Sequence, residues 1–120
     1  MSLAGLHTVW AWIVIVANGL AGLWALGGER VPFLRHRALW WFTIAAEVAV
    51  FVEVALGAAL VAQQGRQPDQ FHAFYGFAAI VAIGIMYSYR SQLQHRLYLL
   101  YGLGGLFLMG LCLRAVQVGA

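Results

Sequence analysis

The sequence has no lysine, a single cysteine and two prolines, and charged residues make up 9% of its 120 residues. One cysteine excludes an internal disulfide and a cysteine-based metal site. Seven arginines against four acids are too sparse for a nucleic-acid-binding surface, so we expect no nucleic-acid partner. No phosphate loop, zinc-ligand spacing, nucleophile elbow or catalytic triad is present. These absences predict a non-catalytic protein without cofactor or metal.

Apolar residues dominate instead, at 63% of the chain. Four apolar segments are each long enough to cross a hydrocarbon core of about 30 Å as a helix. They leave no room for a separate soluble domain, so we predict one transmembrane domain over residues 1–120. The predicted fold class is all-α, a polytopic membrane protein with helices at about 9–26, 39–62, 71–89 and 97–116. The pair Gly27-Gly28 is predicted to end the first helix.

The segment 72–90, HAFYGFAAIVAIGIMYSYR, has an echo in 7–19, HTVWAWIVIVANG. His7 aligns with His72, and Gly19 with Gly84, at a constant offset of 65 positions. A second echo follows, because LRHR at 34–37 answers LQHR at 93–96. We therefore predict two repeated helical hairpins, about 7–62 and 72–120, packed as an up-down-up-down bundle.

Arginine is distributed unevenly between the two ends of the predicted bundle. The first and third connections hold five arginines, whereas the second connection and the C-terminal end hold Arg66 and Arg114. Short basic loops resist translocation, so the arginine-rich side is predicted to be cytoplasmic, with both termini outside the plasma (inner) membrane. The same arginines suit anionic lipid headgroups, and we expect such lipids among the partners.

A face of small residues runs along the first segment. Ala11, Val14, Asn18, Gly22 and Ala25 share it at helical spacing. Small residues let membrane helices approach closely, and Asn18 is predicted to form an interhelical hydrogen bond. Such faces favour contact with other integral membrane subunits.

Glu47 and Glu53 lie within the second segment, and a carboxylate at membrane depth suggests a functional site. At about 100° per residue, their six-residue spacing puts them about 120° apart, which excludes a paired-carboxylate site on one face. Glu53 is predicted to point into the bundle, with Arg114 as a candidate partner. The Thr43 hydroxyl is placed to form a hydrogen bond with Glu47. Together with Asn18 these residues form either a structural polar cluster or a site for protons or substrate.

Four histidines fall into two pairs: His7 and His72 on the outer side, His36 and His95 on the inner side. One pair per leaflet is what a b-type di-haem cytochrome needs for axial ligands. However, each histidine lies outside its aromatic or arginine anchors, which favours an interfacial side chain outside the bundle. Both interpretations stay open.

The stretch HAFYGFAAIVAIGIMYSYR, four short helices and an arginine-only basic set resemble small actinobacterial membrane proteins that accompany the cytochrome bcc–aa3 respiratory supercomplex. This resemblance implies an accessory or scaffolding subunit and carries no site residues. A second likeness is to small multidrug resistance exporters, through the membrane-embedded glutamates of IAAEVAVFVE. That family has its glutamate in the first helix rather than the second. It implies the alternative of a proton-coupled exporter.

Overall fold

The computed structural model describes residues 2–65 and 67–119, and this part of the chain is helical without strands. Met1, Ala120 and Arg66, which counts in the arginine asymmetry, lie outside the described residues. Four α-helices are long and apolar enough to cross a membrane. They are α1 (Leu3–Arg30), α2 (Arg37–Gln64), α3 (Gln70–Ser88) and α4 (Leu97–Gly119). Short 3₁₀ turns at Pro32–Leu34 and Gln94–Arg96 precede α2 and α4.

Helix α1 extends beyond the predicted range at both ends. Its first turn is capped by Ser2, whose hydroxyl accepts from the backbone N–H of Gly5 at 3.0 Å. The expected stop at Gly27-Gly28 is wrong, because the helix continues to Arg30. Both glycines make room for neighbours instead. A Cβ built on Gly28 would lie 2.9 Å from Cδ1 of Tyr98, and one on Gly27 2.6 Å from Cδ1 of Leu34.

The other helix ends follow the expected capping chemistry. The His36 side chain accepts from the N–H of Ala38 at the start of α2. Gly65 ends α2 in the left-handed conformation, with φ 68°. Asp69 accepts from the N–H of Phe71 and starts α3. Local hydrogen bonds therefore define the end of α2 at Gly65 and the start of α3 at Asp69.

Helix α1 is the centre of the arrangement, because it packs along both α2 and α4. Helix α3 packs on α4, whereas α2 and α3 touch only slightly. The fully buried side chains include Leu39, Leu108, Val14 and Val50. The core therefore follows α1 and its two long contacts, and the side between α2 and α3 is the least closed.

The predicted small-residue face of α1 lies against α4. Asn18, Gly22 and Ala25 are all buried. A Cβ on Gly22 would lie 2.8 Å from the backbone N of Leu106, and one on Gly105 would lie 2.8 Å from Cα of Gly22. The two backbones are therefore in direct contact, which membrane helices achieve only where side chains are small.

Polar contacts that involve the first and third connections stabilise the arginine-rich end of the bundle. Arg96 forms an ion pair with Glu29, with Nε and Oε1 2.9 Å apart. The guanidinium of Arg35 donates to the carbonyl of Glu29 and lies over the Tyr98 ring, 5.1 Å from its centroid. Trp24 Nε1 donates to the Leu34 carbonyl at 2.8 Å. These bonds join the end of α1 to both basic connections.

The glycine contact yields a stability prediction. Gly22→Ala should lower the free energy of unfolding by about 1–3 kcal/mol, because the added methyl meets backbone atoms that have no rotamer to change. The matched control is Gly84→Ala, at a helix glycine with nothing within 4 Å of the added Cβ. It should be neutral or stabilise the protein by about 0.5–1 kcal/mol. Unfolding in mixed micelles, followed by tryptophan fluorescence, measures both, and equal effects would contradict the contact.

Candidate functional site

A histidine and a carboxylate meet between α1 and α2. His7 Nδ1 lies 3.1 Å from Glu53 Oε1, and the two side chains are 20% and 16% exposed. This separation is within ion-pair range, but neither atom has a hydrogen-bond partner of good geometry among the described residues. Glu53 therefore points into the bundle, as its helix face predicted, and its nearest polar neighbour is an imidazole.

The second outer histidine, His72 on α3, approaches the same place. Its ring centroid is 6.1 Å from that of His7, with the ring planes at 87°. His72 Nδ1 lies 2.7 Å from the carbonyl oxygen of Ala115 on α4. All four helices thus contribute to one group, which we call the histidine cluster: His7, Glu53, His72 and the Ala115 carbonyl.

Glycine makes room for both imidazoles. A Cβ on Gly57 would lie 3.3 Å from His7 Cε1, and one on Gly119 would lie 2.9 Å from His72 Cε1. One turn along α1 from His7, Trp10 Nε1 donates to the Ala49 carbonyl at 2.9 Å and holds α1 against α2. The positions of the two imidazole rings therefore depend on the nearby glycine backbones and on the hydrogen bond from Trp10 to Ala49.

The structure corrects the expectation that the outer histidines lie outside the bundle. Helix α1 begins at Leu3, one turn before His7, so this residue lies within the helix and between neighbours. The inner pair does lie at the surface, since His36 and His95 are both exposed. His36 also uses its Nδ1 as the cap of α2. The two predicted pairs are therefore not equivalent.

Asn18 of α1 is fully buried at the contact between α1 and α2. Its Nδ2 donates to the Val14 carbonyl at 2.9 Å and to the Ala46 carbonyl at 3.2 Å. The second bond is the interhelical hydrogen bond expected from the sequence. Because Ala46 is seven residues before Glu53 on α2, Asn18 acts as a packing residue separate from the histidine cluster.

Glu47 and Arg114 do not join the cluster. Glu47 is half-buried, and its Oε2 has no hydrogen-bond partner among the described residues. The Thr43 hydroxyl also lacks a partner there, so the predicted Thr43–Glu47 bond is not formed. Arg114 is exposed and donates to Gln117 at 3.2 Å, and its predicted pairing with Glu53 is not formed either. The polar residues thus occupy separate places rather than one network.

The described residues contain no group of three or more histidine, cysteine, aspartate or glutamate side chains arranged to hold a bare metal ion. Cys112 is a half-buried free thiol on α4. The histidine cluster therefore offers two imidazoles and one carboxylate, which can exchange a proton or bind a ligand that needs two nitrogen donors.

No known protein family, curated protein or solved structure matches this chain. The chemistry of the histidine cluster accordingly follows from its geometry. Sequence analysis paired His7 with His72 as one of two open interpretations, on the signal of their equal position in the two echoes. It did not predict that Glu53 lies beside them.

The His7–Glu53 contact predicts energetic coupling. In a double-mutant cycle of His7→Ala and Glu53→Gln, the stability effects should differ from additivity by about 0.5–3 kcal/mol, as for residues in direct contact. The control cycle pairs His7→Ala with Glu47→Gln, six residues and roughly 9 Å along α2 from Glu53. It should be additive within about 0.5 kcal/mol. Additivity in both cycles, measured by unfolding in mixed micelles, would show that the two side chains do not interact.

Proposed function

We propose that this protein is a non-catalytic accessory subunit of a larger complex in the plasma (inner) membrane. In this proposal the four helices cross the bilayer as an up-down-up-down bundle, and α2 lies against another integral membrane subunit. The observation that carries the proposal is the incomplete covering of α2 within its own chain. Only 17% of its apolar stretch is buried, compared with 39% for α1 and 22% each for the third and fourth spans, and α2 also carries both membrane-depth glutamates.

The exposed face of α2 has the composition of a helix-packing surface. Ala55, Ala58, Ala59 and Ala62 are all exposed and follow the i, i+3, i+4, i+7 spacing of one helix face. Lipid chains have no requirement for small residues, whereas a second helix gains close contact from them. This alanine face is therefore suited to a partner helix.

The sequence resemblance points to a respiratory supercomplex as the first assembly to examine.

The outer surface between α3 and α4 differs in composition from the alanine face of α2, and it suits lipid. Its groove is lined by bulky side chains, including Phe74, Phe77, Val81, Ile85 and Phe107. The two surfaces therefore provide a matched comparison within one chain.

A crosslinking experiment tests this proposal. A photoactivatable reagent is attached to the introduced thiol of an Ala58→Cys variant in a Cys112→Ala background, and in parallel to that of a Val81→Cys variant as the control. We expect the α2 site to give a discrete adduct with one membrane protein that also co-purifies in a fixed ratio. The α3 site, which faces the bulky groove, should label lipid without that adduct.

Two outcomes would contradict the proposal. An adduct of twice the chain mass would assign the alanine face to self-association. Equal labelling at both sites, together with a monomer by native mass spectrometry in mild detergent, would leave α2 facing lipid. Either result is visible with the same two variants.

We also infer that the two hairpins are structural repeats. Support comes from His7 and His72, which are equivalent in the sequence echo and approach each other in the bundle. The copies differ in packing, because Gly19 lies against Met109 while Gly84 has open space around it. Divergence of this kind is expected when only one copy forms the close α1–α4 contact.

The orientation is a further part of the proposal, and cysteine labelling tests it. With Cys112→Ala as background, Gln67→Cys should react with a membrane-impermeant thiol reagent in intact cells, whereas Ser91→Cys should not. The reason is that the arginine-rich connections are retained in the cytoplasm. Both positions are exposed, so accessibility within the fold does not bias the result. The opposite pattern would invert the bundle, and labelling of both in sealed cells would indicate dual topology.

A further inference from the structure

The two imidazoles of the histidine cluster have the separation of a pair that shares one metal ion. Imidazole nitrogens bind metals at about 2 Å, so two rings on opposite sides of one ion have centroids about 6 Å apart. The centroids of His7 and His72 are 6.1 Å apart. They come from α1 and α3, helices separated by 39 residues of chain, 31–69.

Each ring also has the polar contact at Nδ1 that metal-binding histidines need. His7 Nδ1 lies beside a carboxylate, Glu53, and His72 Nδ1 lies beside a backbone carbonyl, that of Ala115. These are the two partner types that fix the tautomer and orientation of a ligating imidazole. With His72 Nδ1 hydrogen-bonded to a carbonyl and His7 Nδ1 facing a carboxylate 3.1 Å away, Nε2 is the nitrogen that each ring retains for a ligand.

The number of donors indicates the class of ligand. A bare transition-metal ion in a protein requires three or four side-chain ligands, and the described residues offer no group of three. Iron porphyrin requires only two, because the macrocycle supplies the four equatorial nitrogens. Two imidazoles in a largely apolar bundle match haem rather than zinc or copper.

The packing of the bundle leaves this end able to open. The closest contact between α1 and α4, at Gly22 and Gly105, is fifteen residues and roughly 22 Å along α1 from His7. Helices α2 and α3 touch only slightly, so a flat group entering between them separates little packed surface.

We infer that His7 and His72 are the two axial ligands of a single b-type haem, with Glu53 as a positioning residue that orients the His7 ring. This goes beyond the accessory function and does not depend on it. The inner pair does not form a second site of this kind, because His36 caps α2 and both inner imidazoles are exposed. The prediction is one haem per chain.

Absorption spectroscopy of the full chain tests the inference. Protein purified from cells supplied with a haem precursor, or reconstituted with hemin, should bind one haem and show a six-coordinate low-spin spectrum. His7→Ala and His72→Ala should each abolish that spectrum. His36→Ala and His95→Ala, the matched controls, should retain it at the wild-type stoichiometry. Glu53→Gln should keep the haem but shift its midpoint potential, since the ligand partner changes from a carboxylate to an amide.

Loss of folding is distinguished from loss of a ligand by chemical rescue. His72→Gly supplied with free imidazole should regain the low-spin spectrum at one haem per chain, at an imidazole concentration too low to convert hemin in protein-free micelles, which an unfolded chain does not do. Wild-type protein that is helical by circular dichroism yet takes up no stoichiometric haem would overturn the inference. Binding that persists in the His7 and His72 variants would assign the haem to other residues. The crosslinking result at Ala58 is independent of either outcome.

Discussion

The backbone contact of α1 with α4 at Gly22 and Gly105 is the constraint on which the rest of the bundle depends. Within hydrocarbon there is little hydrophobic gain from bringing helices together, so close van der Waals packing has to supply the association energy. The glycine pair allows that packing over a long interface, and Asn18 adds a hydrogen bond from the same region of α1 to α2. Helix α1 is thereby held between two neighbours, and α3 is positioned through α4.

Helices α1 and α4 are in backbone contact near their middles, and the two ends of the bundle differ in their interactions. The arginine-rich end is closed by the Glu29–Arg96 ion pair and by Arg35 over Tyr98. At the other end each helix contributes one group to the histidine cluster, and α2 and α3 make few contacts with each other. The bundle therefore combines a close backbone contact between α1 and α4 with one weakly covered helix, α2.

The existence of four helices followed from the sequence, because length and hydropathy alone identify segments able to cross a bilayer. The buried face of α1 also followed, since helical spacing groups Asn18, Gly22 and Ala25. One local prediction was wrong. Gly27-Gly28 matched a helix stop, but these glycines lie within the helix, where Leu34 and Tyr98 pack against them. The approach of His7 to His72 was one of two open interpretations, because it depends on the relative rotation of α1 and α3, which no single-helix pattern specifies. Arg114 failed as a partner for the same reason, since depth along α4 was matched to Glu53 but direction was not.

The claim that the helices converge at the histidine cluster is tested most directly by the proximity of His7 and Glu53 in a lipid bilayer. Solid-state NMR of protein with ¹⁵N-labelled histidine and ¹³C-labelled glutamate measures the dipolar coupling between an imidazole nitrogen and a side-chain carboxyl carbon. Because His7 Nδ1 and Glu53 Oε1 lie 3.1 Å apart, a weak but measurable coupling is expected, and it should vanish in His7→Ala but persist in His36→Ala. Absence of any measurable histidine–glutamate coupling in the wild-type protein would contradict the convergence of α1 and α2 at this end.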